Sequence, residues 1–364
     1  MKTLLYKLIV FTFLLPVIAF ANNGTGKHEG KYTKEKTITK EFSVNSDALL
    51  KVSNSYGTVH MTSWDKNIVA IEVTIKTNGD SEDKVTERLD QIGVDFSNSP
   101  AMVNAKTRFN KDNSKSWWKW NKRNKVNITV NYTIRFPKGN ELNISNDYGA
   151  IFLNRAENKV SLNCDYGRME IGELLGNDNS LNFDYSNNVT IAYMNNGRIN
   201  ADYSSFTINK AEDIILNADY TKSRFGTISN IEYNCEYNTL QIEQANDVKG
   251  TGDYLSLRLG IITGNIDVRA DYGSIKIAEM TDDAGNIRIQ SDYAGIKIGY
   301  QSQYYFNFEL SLEYASIKGE DDFTMNKKRV ESGERYYKGY YGNGTSGNNI
   351  YINSEYGSVR FEKL

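Results

Sequence analysis

The sequence predicts an all-β chain: a single-chain parallel β-solenoid (a β-helix) of about twelve rungs, with a β-rich capping module and one short helix at its N-terminal end. Three observations lead there. A cassette of the form Ile266-Asp267-Val268-Arg269-Ala270-Asp271-Tyr272-Gly273-Ser274-Ile275-Lys276-Ile277 recurs from Ser145 to the C-terminus. Its tyrosines are Tyr148, Tyr166, Tyr185, Tyr203, Tyr220, Tyr237, Tyr254, Tyr272, Tyr293, Tyr314 and Tyr356, at intervals of 18, 19, 18, 17, 17, 17, 18, 21, 21 and 42 residues. On both sides of each tyrosine, apolar residues alternate with polar ones. A fixed period of this length marks an array in which each repeat covers the hydrophobic face of the one before. The last interval reads as two periods with one degenerate copy. A right-handed wind is expected.

The parity of each repeat sets its shape. Counting back in twos from the tyrosine gives Leu162, Cys164, Tyr166; Leu181, Phe183, Tyr185; and Ile266, Val268, Ala270, Tyr272. That spacing places these side chains on one face of a strand. Beyond the tyrosine the apolar residues fall three and five positions on, as Met169 and Ile171, Leu240 and Ile242, or Ile275 and Ile277. An odd step changes face, so the backbone must bend near the tyrosine. The following residue is often Gly149, Gly167, Gly273 or Gly357, or else small (Ser186, Ser204, Ala294, Ala315), as a bend favours. Two positions before it stand Ala201, Ala218, Cys235, Gly252, Ala270 and Ser291, small enough to leave room for stacked rings. The tyrosine ladder is therefore expected inside, as core. Each rung is a strand, a corner, a second strand and a polar return such as Leu175-Gly176-Asn177-Asp178-Asn179. Rungs stacked about 4.8 Å apart make a rod on the order of 55 Å long.

Residues 1–21 read as a signal peptide, with Lys2 and Lys7 ahead of the short apolar stretch Leu8–Phe20 and a small-x-small site at Ala19-Phe20-Ala21. That stretch is interrupted by Pro16 and is too short to span a bilayer. The absence of a nearby cysteine argues against a lipid anchor. The expectation is an exported chain, periplasmic, at the cell surface or extracellular, with no transmembrane helix after cleavage. Removing Lys2 and Lys7 from the 43 basic residues leaves 41 against 45 acidic ones. So even a balance does not point to nucleic acid. Cys164 and Cys235 both sit two positions before a tyrosine, four rungs apart. Four rungs of about 4.8 Å far exceed the roughly 7 Å limit for a disulfide, so two buried free thiols are expected.

Residues 22–35 form a polar leader, and 36–136 read as the N-terminal cap. Thr37–Val44 alternates as a strand, and Leu50 to Met61, around Tyr56-Gly57, matches the repeat cassette ahead of the main array. Ile71, Val73 and Ile75 mark another strand. Ser81 is a candidate N-cap for a helix over about 82–91, whose Val85, Leu89 and Ile92 share one face. Strands follow near 93–96 and 102–109, then a polar loop, then the long alternation from Val126 to Phe136, ended by Pro137-Lys138-Gly139. A cover of this kind is needed because a bare terminal rung presents unpaired backbone. Repeats occupy 137–364. A Gly/Tyr-rich insertion at 331–349 stands where a repeat tyrosine is missing, and the last rung spans Ile350–Phe361.

Ser55-Tyr56-Gly57, Trp64-Asp65, a helix opening on Ser81-Glu82-Asp83, a tryptophan-bearing loop, a long strand ending in Phe136-Pro137 and serial Tyr-Gly repeats resemble the bacterial β-strand-repeat proteins labelled putative adhesins. The resemblance covers nearly the whole mature chain. It implies an extracytoplasmic β-solenoid without assigned chemistry. The chain departs from that pattern in carrying Asp or Glu before nearly every repeat tyrosine.

Four constellations invite a functional reading. The acidic row Asp147, Asp165, Asp184, Asp202, Asp219, Glu236, Asp253, Asp271, Asp292, Glu313 and Glu355 suggests calcium, but the Gly-Gly-x-Gly-x-Asp repeat of calcium-stacking β-rolls is absent. Carboxylates accepting backbone N–H groups at their own corners account for the row more simply, and no metal site or cofactor is assigned. Arg258, Lys276, Lys297, Lys318 and Arg360 all lie four positions after a tyrosine. They make either a cationic stripe for an acidic polysaccharide or an outward row that balances the acids and keeps the sheet soluble. Trp117, Trp118, Lys119, Trp120, Lys122 and Arg123 form the densest basic-aromatic segment, fit to dock on glycans or an anionic surface or to pack on the first rungs. The only histidines are His28 and His60, and no His-x-x-x-His, Cys-x-x-Cys, Gly-x-Ser-x-Gly or phosphate loop appears.

The leading expectation is thus an exported, non-enzymatic scaffold, adhesin-like, that binds an envelope glycan or protein surface. The alternative is a periplasmic accessory of an envelope-stress or regulatory system that binds a protein partner. A polysaccharide-processing β-helix enzyme is the outlier.

Overall fold

Alternation of apolar and polar residues folds as strand almost throughout. The computed structural model describes residues 30–110, 126–345 and 347–364; residues 1–21, expected as a signal peptide, residues 22–29 and the Trp117–Arg123 segment lie outside them. Among the described residues are 24 strands in one mixed sheet that does not close, and one helix, Glu82–Asp90.

From Glu141 onward the pairing between repeats is parallel, and its register equals the sequence period. Ala201 pairs with Ala218, Ala218 with Cys235, Cys235 with Gly252, Gly252 with Ala270, Ala270 with Ser291, and Ser291 with Ser354. On the other side of the corner, Leu257, Ile275, Ile296 and Val359 form a second column of partners. Both columns are buried, and their neighbours build one continuous hydrophobic core. The small residues two positions before each tyrosine line this interior. Cys164 and Cys235 belong to it and are buried free thiols.

The tyrosines themselves are not core, and the expectation of an interior ladder is corrected. All twelve, Tyr56 included, have φ between 48° and 64°. One left-handed residue in a strand turns two successive side chains, the acid and the tyrosine, outward and returns the next one inward. Counting in twos had carried the inward face through the tyrosine, whereas the odd step falls on the tyrosine itself. The ring therefore stands on the outer edge of the corner. The left-handed conformation costs an L-residue on the order of 1 kcal/mol, and the chain accepts it at every repeat.

The cassette around Tyr56 is directly continuous with the array. Leu49–Ser55 pairs in parallel with Glu141–Asp147, and Thr58–Trp64 with Ala150–Ala156. Beyond it, Met102–Phe109 pairs in parallel with Leu49–Ser55 and antiparallel with Ile92–Ser99. Asn127–Pro137 pairs in parallel with Thr58–Trp64 and antiparallel with Ile68–Gly79, which in turn pairs antiparallel with Tyr32–Ser43. The helix buries Val85 and Leu89; Ser81 occupies its N-cap, but its side chain makes no capping hydrogen bond.

At the opposite end the reading of a degenerate copy is also corrected. Asn349–Glu355 lies between Ile287–Tyr300 and Phe306–Glu313, parallel to both. Ser358–Lys363 likewise lies between Ile287–Tyr300 and Ser316–Lys318. The last repeat is thus inserted ahead of the one that precedes it in sequence. The residues that delay it form a hairpin, Thr324–Val330 with Glu334–Tyr341, which adds antiparallel to Phe306–Glu313. Beneath it Tyr300, Tyr304, Phe306, Phe323, Tyr341 and Phe361 pack ring against ring and close the core. Lys327, Lys328 and Arg329 are exposed on the outermost strand, charges of the kind that keep a free edge from pairing.

Candidate functional site: an exposed tyrosine ridge

Because every corner tyrosine has the same backbone geometry and every repeat the same register, the twelve rings fall into one column. In space they run Tyr56, Tyr148, Tyr166 and on to Tyr293, then Tyr356 and finally Tyr314. Neighbouring centroids are 4.6–5.4 Å apart and the planes 1–11° from parallel. These are offset stacks, worth about 0.5–1.5 kcal/mol each beyond area burial. The stacks, together with the partial burial of each ring, offset the left-handed strain. Each tyrosine is 41–60% exposed, and ring edges and hydroxyls face solvent. Burial against the adjoining rings, then the neighbouring phenols and carboxylates, push Tyr166, Tyr220 and Tyr356 above the ordinary phenol value. Among the described residues none of the twelve hydroxyls is hydrogen-bonded within the protein, so phenylalanine would serve the fold equally well.

The acidic row flanks the ridge. The Asp165 carboxylate accepts the N–H of Asp184 at 3.1 Å, Asp184 that of Asp202, Asp202 that of Asp219, and Asp219 that of Glu236. The bond reaches the next repeat, which corrects the expectation that each carboxylate serves its own corner. Main-chain bonds continue the pattern: Tyr203 N–H donates to the Asp219 carbonyl and Tyr220 N–H to that of Glu236. Burial raises the pKa of Asp147 and of Asp184, and the adjacent carboxylates add to the effect. Among the described residues no cluster of three or more His, Cys, Asp or Glu is arranged to hold a metal ion.

Behind the ridge runs a buried polar column, of which Ser186 and Ser204 are visible in the sequence only as small residues. Ser186 N–H donates to Ser204 Oγ, Ser204 N–H to Thr221 Oγ1, and Thr221 N–H to Asn238 Oδ1, at 2.7–3.1 Å. These side chains satisfy backbone groups that the bend removes from the sheet. A further column, three positions before the tyrosine, was missed altogether: Asn182 donates to Asn163, Asn200 to Asn182 and Asn217 to Asn200. The signal was present as asparagine at one phase of the repeat. This outer face carries a groove of about 560 Å³ lined in part by Ile215, Glu232, Lys249, Arg269, Arg288 and Tyr351.

The five cations come together on the face beyond the ridge. Arg258 pairs with Lys276, Lys276 with Lys297, Lys297 with Arg360, and Arg360 with Lys318. All are exposed. Among the described residues only Lys297 has an ion pair, with Glu362, and none of the five pairs with the acidic row. Like charges one strand apart repel by about 1 kcal/mol in water, a cost this column leaves largely uncompensated. Upstream, by contrast, Arg224 in the same column is paired with Glu243 at 2.5 Å. His60 is exposed on its strand, edge-on to Phe152.

No family model matches the chain, and no curated protein matches it. Solved structures that resemble it include a putative adhesin from Parabacteroides merdae, 9% identical over 90% of this chain and 96% of that one, with a TM-score of 0.34. A putative cell adhesion protein from Clostridium sporogenes is 12% identical over 91% of this chain and 100% of that one, with a TM-score of 0.19. A putative lipid binding protein from Parabacteroides distasonis is 11% identical over 90% and 96%, with a TM-score of 0.27. Likeness this distant carries no argument, and function rests on this chain's own residues.

Proposed function

We propose that this chain is an exported, non-enzymatic β-solenoid of twelve tyrosine-bearing rungs that acts as an adhesin-like scaffold in the cell envelope, binding a glycan or protein surface along its length. The observation that carries this reading is the unbroken ridge of half-exposed tyrosines whose hydroxyls have no partner among the described residues. An apolar, hydroxyl-tipped strip running the length of the array is far longer than the scattered apolar residues of an ordinary surface. The signal-like residues 1–21 support export. Asp165, Asp184, Asp202 and Asp219 are spent on backbone hydrogen bonds of the next repeat, which favours binding over catalysis.

The test combines location with ridge substitution. Cell fractionation should place the protein in the envelope or the medium, and immobilised protein should capture envelope glycan or envelope protein. The triple variant Tyr254→Phe, Tyr272→Phe, Tyr293→Phe should lose most of that capture while keeping its far-UV circular dichroism, since it removes only hydroxyls and leaves the stacked rings in place. Retention in the cytoplasm, or undiminished capture by the variant, would sink the proposal.

A further inference from the structure

The C-terminal five rungs carry more than a row of cations. Outward side chains alternate, so between the tyrosine ridge and the cation column runs the column two positions after each tyrosine. There it consists of Ser256, Ser274, Gly295, Ser358 and Ser316. Ser256 pairs with Ser274, Ser274 with Gly295, and Ser358 with Ser316, so the small residues are in register with the cations. A Cβ added at Gly295 would meet nothing within 4 Å. The result is a straight trough: phenols on one wall, guanidinium and ammonium groups on the other, hydroxyls on the floor. It spans four strand spacings, on the order of 20 Å. Nearer the N-terminus the same floor column carries the exposed side chains of Arg168 and Lys222, and the cation wall gives way to Gln241, the ion-paired Arg224, Thr207, Thr190 and Glu170. The trough is confined to one end.

We infer that this trough binds a linear anionic polysaccharide carrying one carboxylate per sugar residue, laid along the rod. The inference rests on the surface-binding reading above and names its ligand. Charge sign is the first argument, because four of the five cations have no ion-pair partner among the described residues. Period is the second: an extended β-1,4-linked pyranose chain advances by about one strand spacing per residue. A flat ribbon whose carboxylates alternate between its edges sets one edge against the cations and the other against the phenol hydroxyls. The serines then face the ring oxygens and hydroxyls of the sugars.

Calorimetric titration of the full chain with polymannuronate, a β-1,4-linked polyuronate, tests this against neutral mannan, dextran sulfate and single-stranded DNA. The wild type should bind polymannuronate and not mannan. The double variant Lys276→Ser, Lys297→Ser should weaken binding about tenfold or more. Gly295→Trp keeps every cation and fills the trough, and it should weaken binding to a similar extent. No binding of polymannuronate overturns the inference. So does equal binding of DNA or dextran sulfate with Gly295→Trp behaving as wild type, which would describe a merely basic face. If envelope capture is lost in the Tyr254/Tyr272/Tyr293 phenylalanine variant but unchanged in Gly295→Trp, the general binding reading stands and this ligand assignment falls.

Discussion

Substitution of Tyr237, near the middle of the ridge, separates the two opposing contributions of a corner tyrosine. Its ring lies 4.8 Å from that of Tyr220 and 4.6 Å from that of Tyr254. It is 47% exposed, so about half of a tyrosine's side-chain area is covered, roughly 100 Å² or about 2.5 kcal/mol at 25 cal/mol per Å². Two stacks add about 2 kcal/mol. Tyr237→Ala loses both contributions and keeps a β-carbon at φ 53°, so it should cost about 4 kcal/mol once neighbours relax. Tyr237→Gly loses the same contacts but sheds the left-handed strain, and should be about 1 kcal/mol milder than alanine. That order is the reverse of an ordinary strand, where glycine is worse than alanine by about 0.5–1 kcal/mol. Tyr237→Phe, which removes only an unpartnered hydroxyl, should lie within about 0.5 kcal/mol of wild type. Urea titration followed by far-UV circular dichroism reads all three. A glycine variant less stable than the alanine variant would refute the account of the corner.

Two further outcomes follow from groups inside the core. The Tyr233 hydroxyl is buried without a hydrogen-bond partner, so Tyr233→Phe should raise stability by about 1 kcal/mol in the same titration; a loss of more than about 0.5 kcal/mol would mean the hydroxyl is satisfied. Burial pushes Cys164 and Cys235 to about 12 from 9.0, and Tyr132 to about 12 from 10.0. Each is neutral when protonated, and between the two values the unfolded chain has released a proton that the folded chain retains. Stability is therefore full below about pH 9 and falls as pH rises toward 12. Melting temperature against pH should show that decline, with a shallower onset in the Cys164→Ala, Cys235→Ala variant; a flat profile to pH 11 would contradict it.

Much of this architecture was legible because the repeat is an arithmetic property of the chain. The 17- and 18-residue intervals around Tyr237 and Tyr254 are also the pairing register of the strands that carry them. Alternation alone placed Val268, Ile275 and Ile277 inside and Lys276 outside. The cations were visible as one phase of the repeat, and stacking turned that phase into a column. Less visible was what a period cannot encode. Asn200 and Asn217 are ordinary polar side chains singly, and only the stacking of neighbouring repeats brings their amides within 2.9 Å. The trough escaped notice because Ser256 and Gly295 are unremarkable singly and define a floor only between two taller rows.

By itself, the sequence determined the spacing of the repeats, the two buried faces and the single file of tyrosines, since these depend only on counting along a chain with a two-residue strand period. Which side of the corner the rings occupy was decided by a dihedral sign, and residue parity contains no information about it. The position of the last repeat was likewise decided in three dimensions. Ile350–Phe361 carries the same edge as any other repeat, and only the hairpin across Phe306–Glu313, which takes one side of that strand, leaves the slot beside Ile287–Tyr300 for it to fill.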